Sequence, residues 1–339
     1  DSQNEYFIFV RSSERFRELP ANIHIVQTNI QWYGIAEQLL WPIMLMSYRL
    51  DLMHFTHFNV PFLYRKRFIV TIHDLILLHY PTSAASTHTS AYYAVKYWFY
   101  RFILNSAITR ASSIISVSDF TRKDIAHMFP RSASKIRLIY EGCALQEKAG
   151  SAVSDTPVHL PQLPERFLLY VGNAYPHKNL RFLVHAFSEW RRENGEYSLV
   201  LVGSEDFFYR QLRQYVQENK FSNIRFMGGI SDAELSTLYK KASAYVFPSL
   251  YEGFGLPPLE AMAHGLPVLS STRGALPEIL NGAALYFDAE KKEELLGQLS
   301  VITSDAEQRK KLKEAGFARV RDFSWDTMAR QTLLLYAAP

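Results

Sequence analysis

The chain has 339 residues, 48% hydrophobic and 21% charged, with a formal net charge of +4 and one cysteine, Cys143. This composition excludes an intrinsically disordered chain, a disulfide scaffold and a strongly basic nucleic-acid binder. What remains is a globular chain long enough for two ordinary domains, with a mild positive excess suited to an anionic ligand or an anionic membrane surface.

No apolar run approaches the ~20 residues of a membrane span, and the polar start, Asp1 to Glu5, is no basic-then-apolar leader. With a lone thiol, the expected location is the cytoplasm, with peripheral contact to the inner membrane face left open. Tyr6–Val10 and Ile23–Gln27 read as strands, and residues 35–48 as a helix around Pro42. The short apolar runs at 51–56 and Phe68–Ile72 fit parallel strands buried on both faces. Strands alternating with helices predict a doubly wound α/β sheet, whose ligands bind beyond the carboxyl ends of the strands. His73 and Asp74 stand at one such end. On residue type alone His73 reads first as a hydrogen-bonded structural residue, and Asp74 as a loop-orienting one. Residues 89–110 form a helical pattern crowded with Tyr92, Tyr93, Tyr97, Trp98, Phe99, Tyr100 and Phe102, interleaved with Lys96, Arg101 and Arg110. The favoured reading packs this aromatic side into the core; the alternative is a membrane-surface face. After a strand at 113–117, Ser118 is placed to cap a helix over 119–128, and 136–140 closes the sheet.

Residues 146–166, with Gly150, Pro157, Pro161 and Pro164, read as the linker. The domains are therefore set at 1–148 and 149–323, with 324–339 a last helix. The second domain opens on a strand at 167–171, the loop Gly172-Asn-Ala-Tyr-Pro-His-Lys-Asn179 and a helix to about Arg191, with Asn179 as N-cap. A lysine just before a helix N-terminus suits a phosphate, so Lys178 is a candidate ligand beside its ordinary role as a surface charge. A strand at 199–202 ends on Gly203, where backbone can approach a ligand. Ile224–Met227 leads into Gly228-Gly-Ile-Ser-Asp-Ala-Glu234, where Ser231 and Glu234 form a capping box. Ala244–Phe247 precedes Pro248-Ser-Leu-Tyr-Glu-Gly-Phe-Gly255, then a helix over 257–264 that starts on two prolines and stops at Gly265. That order turns free N–H groups and a helix dipole toward an anion. Glu252 and Glu260 bracket the loop. Their spacing divides evenly between two carboxylates facing one cleft and a solvated charge plus a dipole complement. Trp325, in the last helix, reads as core.

Glu252-Gly-Phe-Gly-Leu-Pro-Pro-Leu-Glu260 resembles the E-x7-E motif of retaining glycosyltransferases, specifically family 4 with two Rossmann-like domains facing a cleft, the GT-B fold. Tyr245-Val-Phe-Pro-Ser249 before it and Ala263-His-Gly-Leu-Pro-Val-Leu-Ser270 after it strengthen the resemblance. It implies that Glu252 contacts the transferred sugar and Glu260 the nucleotide ribose, with the backbone of Gly253, Phe254, Gly255 and Leu256 beside sugar and diphosphate. It implies that His73 lies at the reaction centre and that Lys178 binds the diphosphate, making His73, Lys178 and Glu252 the catalytic set. Gly172, Asn173, His177 and Gly203 would line the donor site, and the backbone at Gly229 and Ile230 would meet the base. Relatives carry an arginine next to that lysine or near Asn173; His177 in its place predicts pH-sensitive turnover. Ser116-Val-Ser-Asp-Phe-Thr-Arg122 resembles the family's inner-cleft element, with Arg122 a lesser candidate for an acceptor or phosphate.

The implied reaction is retaining transfer of a hexose from a nucleotide diphosphate sugar to a glycan or lipid-linked hydroxyl. No cofactor or metal is expected, because no Asp-x-Asp is present. The Pro176-His-Lys-Asn179 phrasing resembles mannosyltransferases of bacterial polysaccharide assembly, which favours GDP-mannose over UDP-sugars. Relatives open with an earlier strand, glycine-rich loop and helix that end near an Asn-Glu-Tyr like Asn4-Glu5-Tyr6, so the N-terminal domain is expected to lack its first β-α unit. A non-catalytic nucleotide-sugar-binding chain is therefore an alternative, and a nucleotide-sugar epimerase of the same architecture a lesser one.

Overall fold

The computed structural model describes residues 3–12, 19–30, 34–81, 90–143 and 162–337. The expected domain boundary at 148/149, most of the linker, and the side chains of Tyr92 and Tyr93 lie outside these residues.

The first domain contains two parallel layers of hydrogen bonding rather than one continuous sheet. β1 (Tyr6–Val10) pairs with β2 (Ile23–Gln27), in register from Tyr6 opposite Ile23 to Val10 opposite Gln27. β3 (Met53–Phe55), β4 (Phe68–Ile72), β5 (Ser113–Ser116) and β6 (Ile136–Leu138) form a separate parallel sheet in chain order. Side chains, not a ladder, connect the two: Phe9 of β1 packs on Trp41 and Tyr48 at α1 (Ile35–Ser47), against the same core that Met53 and Phe55 enter. Every residue of β4 is buried, as expected of a strand covered on both faces. α2 (Ile76–His79), α3 (Ser90–Arg110) and α4 (Asp119–Met128) complete this half.

α3 divides its aromatics between core and surface. Tyr100 packs on the domain core, 5.1 Å from Phe58, as the favoured reading expects, and Tyr97 is partly buried. The later half packs inward through Ile103, Leu104, Ala107 and Ile108, whereas Trp98, Phe99 and Phe102 are exposed, against that reading.

The second domain is one six-stranded parallel sheet. Its strands are β7 (Arg166–Val171), β8 (Tyr197–Val202), β9 (Ile224–Met227), β10 (Ala244–Phe247), β11 (Val268–Ser271) and β12 (Leu285–Phe287), in the order β12-β11-β10-β7-β8-β9. The chain direction of assembly reverses between β7 and β10, which opens a crevice beyond their carboxyl ends. α5 (Leu180–Trp190), α6 (Phe207–Glu218), α7 (Asp232–Lys241), α8 (Leu256–Ala263), α9 (Leu276–Leu280), α10 (Lys292–Ser304) and α11 (Ala306–Val320) cover the sheet. α5 buries Leu180, Leu183, Val184, Phe187 and Trp190 on one side, the pattern of a helix lying on a sheet. The Ser231–Glu234 capping box is formed. α8 starts on Leu256 with both prolines in its first turn.

α12 (Trp325–Ala337) reaches back to the first domain, where Met328, Leu335 and Tyr336 pack on Ile69, Ile115 and Ile139, and the Tyr336 hydroxyl lies 2.5 Å from His54 Nδ1. Trp325 is not core: half its surface is exposed, and its indole lies over Gly142, where a Cβ would collide with it. Asn179 is not a side-chain cap either. It takes the left-handed conformation before α5 (φ 59°), and its amide donates instead to the Ala289 carbonyl at 2.9 Å. Among the described residues no helix is long and apolar enough to cross a membrane.

β7 and β8 end so close together that Gly203 cannot carry a side chain without striking the Gly172 carbonyl and the Tyr209 hydroxyl that bonds to it. Gly203→Ala is expected to destabilise the chain by about 1–3 kcal/mol through overpacking, read as a lower denaturant midpoint at unchanged m-value.

Candidate active site

The crevice between β7 and β10 is built from three loops. After β7, Gly172 accepts the Tyr209 hydroxyl at 2.8 Å and the Asn173 carbonyl accepts the Tyr170 hydroxyl at 2.7 Å, which fixes the loop onto the sheet. Pro176–Lys178 then makes one tight helical turn and directs Lys178 inward. After β10, the Leu250 N–H donates to the His177 carbonyl at 2.7 Å and joins the two loops. After β11, the Ala275 N–H donates to the Glu252 carbonyl at 3.0 Å, and Gly274 packs against the Glu252 backbone. The outcome is an ion pair: Lys178 Nζ donates to Glu252 Oε1 at 2.6 Å, with side chains only 14% and 9% exposed. Lys178 also lies 5.4 Å over the Phe247 ring.

Gly253 brings the other domain to this pair. A Cβ there would collide with the His73 carbonyl at the end of β4, so only glycine permits the contact. The His73 ring is held at both nitrogens by acceptors, Glu141 Oε1 at 2.8 Å from Nδ1 and the Thr56 carbonyl at 2.9 Å from Nε2. Only the doubly protonated ring can donate to both. Burial by itself would lower the His73 pKa. The hydrogen bond and charge of Glu141, the Thr56 carbonyl and Asp74 outweigh it, and the net direction is upward from 6.5. Asp74 does what its position predicts: its carboxylate accepts the Ile76 N–H at 2.9 Å and starts α2.

His177 departs from expectation. It is buried, and burial together with the Lys178 charge pushes its pKa down to about 3. Burial and the neighbouring lysine thus favour its neutral form, which works against a pH response at His177 itself. Burial, then the charge of His73, likewise pushes His54 and His57 down to about 4.

The remaining candidates scatter by role. Glu260, in α8, has the Tyr239 hydroxyl 3.3 Å from its carboxylate, while Glu252 is engaged by Lys178. Phe254 is buried against Phe323, Leu256 packs on the domain core, and Gly255 (φ +114°) opens α8. A Cβ at Gly229 would meet no atom within 4 Å, and Ile230 packs on the core. Arg122 is bonded to Asp119 at 2.7 Å on the surface. Sequence reasoning missed Glu141. It stands just after β6, at the same carboxyl-end position that drew attention to His73, and that shared position was the available signal.

Two family models cover almost the whole chain: Glycosyltransferase Family 4 over residues 4–147 and Glycosyl transferases group 1 over residues 155–319. The chain belongs to the glycosyltransferase families that these two models describe. It is 32% identical over 237 residues to O-antigen chain mannosyltransferase B of Escherichia coli, covering 69% of this chain and 62% of that protein. It is 27% identical over 263 residues to O-antigen chain mannosyltransferase RfbU of Salmonella typhimurium, covering 77% of this chain and 67% of that protein. The chain thus spans about two thirds of these relatives' own length. Its fold is that of sucrose-phosphate synthase from Thermosynechococcus elongatus (TM-score 0.73, 21% identity, 97% and 88% of the two chains). It is also that of Anabaena HepE in complex with UDP and glucose (TM-score 0.68, 17% identity, 94% and 86%). These neighbours establish the GT-B architecture.

In this glycosyltransferase, Lys178→Met leaves Glu252 buried without its partner. A stability loss of about 3 kcal/mol is expected, largely recovered by adding Glu252→Gln, because the cost lies in the uncompensated charge. Calorimetric melting of the two variants checks this. The histidines give opposite pH signatures. His73, with its folded pKa raised, contributes stability that is full below 6.5 and lost as pH rises through the folded value. His54, His57 and His177, with folded values depressed, take up protons only on unfolding, so their effect is falling stability as pH drops from 6.5 toward about 4. Ring-proton NMR is expected to show His73 titrating above 6.5, and Glu141→Gln to move it downward.

Proposed function

We propose that the chain transfers a hexose, with mannose favoured, from a nucleotide diphosphate sugar to a hydroxyl of a glycan or lipid-linked acceptor, with retention of configuration and without a metal. The observation that carries this reading is the Lys178–Glu252 pair, set in the crevice of a nucleotide-binding type of sheet and faced by His73 from the other domain. A lysine held dry beside a carboxylate is a site awaiting an anion. On donor binding Lys178 takes the diphosphate, and Glu252 is released to the sugar hydroxyls. Developing charge on the leaving diphosphate is then met by Lys178, the His73 imidazolium and the N-terminus of α8, groups already oriented before reaction. The acceptor attacks from the face the diphosphate leaves, and a departing phosphate oxygen takes its proton. No protein nucleophile is assigned. Glu260 holds the ribose, and the backbone at Gly229 and Ile230 meets the base, with open space at Gly229 where a Cβ would sit.

Mannose is favoured by the two O-antigen mannosyltransferases among the relatives and by Pro176-His-Lys-Asn179. GDP is the corresponding nucleotide; the UDP bound by HepE makes UDP-sugars the competing donors. For a lipid-linked acceptor, the exposed aromatic strip is the membrane-facing surface. Trp98 stacks on Phe102 at 5.7 Å, Phe102 contacts Phe62 at 4.9 Å, and Arg65 lies 4.9 Å over Phe62. Aromatic rings flanked by cations suit an anionic lipid interface.

The test is a thermal-shift panel of GDP-mannose, UDP-glucose, UDP-GlcNAc and bare nucleotides in chelator, followed by transfer assays with any donor that binds. A donor at ~100 times its Kd stabilises by about 2.7 kcal/mol, a readable shift in Tm. The expected result is a selective shift with GDP-mannose that Lys178→Met abolishes. A shift without transfer to any acceptor would favour a binding-only chain. Interconversion of free sugar nucleotides would favour an epimerase.

A further inference from the structure

The first four N–H groups of a helix lack partners inside it, and a carboxylate is the strongest partner they can be given. At α4 the partners come from across the domain boundary. Glu278, in α9 of the second domain, accepts the Asp119 N–H at 2.7 Å and the Phe120 N–H at 2.8 Å, one with each carboxylate oxygen. The Tyr140 hydroxyl adds a third bond to it at 2.9 Å. Ser118 caps the next group, taking the Thr121 N–H at 3.0 Å. The backbone of α9 is itself pinned by Arg319 of α11, which donates to the Glu278 and Ile279 carbonyls at 2.9 and 2.7 Å. Glu278 therefore joins a helix of one domain to a fixed point of the other.

The same helix grips the loop that carries Glu252, on both sides of it. The Ser118 hydroxyl, wholly buried, donates to the Gly253 carbonyl at 2.6 Å, and the Thr121 hydroxyl donates to that carbonyl at 3.1 Å. Three residues further along α4, Asp124 accepts the Tyr251 hydroxyl at 2.5 Å and is braced by His79 Nε2 at 2.8 Å. Residues 251 and 253 are thus held by α4 while residue 252 points to Lys178.

We infer that α4 is a positioning helix for Glu252, locked in register by Glu278. Ser118, Thr121 and Asp124 set the loop and Glu278 sets the helix; none of them touches the reacting atoms. A domain movement that pulled α4 away would strip its N-terminus of two donors' partners and free Glu252 together. Closure and catalytic geometry are one event in this arrangement. The inference rests on the transfer reading for its kinetic test only.

Glu278→Gln and Asp124→Asn test it, since both keep side-chain size. Spin labels at Lys96→Cys and Gln217→Cys, exposed positions in the two domains, report the interdomain distance in each background. The expected result for Glu278→Gln is a cooperative melt retained, a broader distance distribution, and kcat lower by ~10-fold or more with donor KM changed by less than about threefold, since misplacement of a catalytic group acts mainly on the chemical step. Asp124→Asn should reproduce the kcat loss with the distance distribution unchanged, because it loosens only the loop. Unchanged distances and unchanged kcat in Glu278→Gln would overturn the proposal. So would a loss confined to melting temperature. If the unsubstituted chain transfers no sugar, the transfer reading fails while the distance measurement still decides the role of Glu278.

Discussion

A lysine and a glutamate removed from water each carry a desolvation cost of several kcal/mol, and their mutual attraction repays it only when the geometry is held. The Lys178–Glu252 pair is held by three loops and, through Gly253, by the neighbouring domain. Much of the backbone around the crevice is explained by that requirement. The tight turn at Pro176–Lys178, the Ala275 N–H bond to the Glu252 carbonyl and the glycine at 253 each remove a way for the pair to separate.

The histidines around this pair are sorted by their neighbours rather than by their type. His73 has acceptors at both nitrogens, which favours its protonated form, whereas burial beside positive charge favours the neutral form of His54, His57 and His177. Asp74 and Glu141 supply the compensating negative charge from the same domain.

Local chemistry made much of this legible in the sequence. Alternating apolar runs and helix signals located most of the elements, though not α2, α6, β11 or β12, and the Ser118 cap and the Ser231–Glu234 box formed as their spacing requires. Lys178 and Glu252 were singled out separately, but their contact spans 74 positions and no local pattern encodes it. Glu141 and Glu278 escaped for the same reason: each acts on a partner more than 60 residues away, His73 in one case and the end of α4 in the other. Asn179 misled because asparagine serves equally as a cap and as a left-handed residue, and only the position of Ala289 decides between them. Trp98, Phe99 and Phe102 of α3 misled because hydrophobicity names a preference, while the neighbours a helix meets determine which rings are covered, Tyr100 among them.

The first domain holds its strands in two different ways. β4 lies within a ladder and is buried along its whole length, whereas, among the described residues, β1 meets the rest of the domain through rings: Phe9 on Trp41 and Tyr48, and Phe7 on Tyr48. A ladder fixes register residue by residue, while ring packing fixes only a distance. Changes of side-chain size at Phe9 or Trp41 therefore bear on the placement of β1, and changes along β4 bear on His73 at its end.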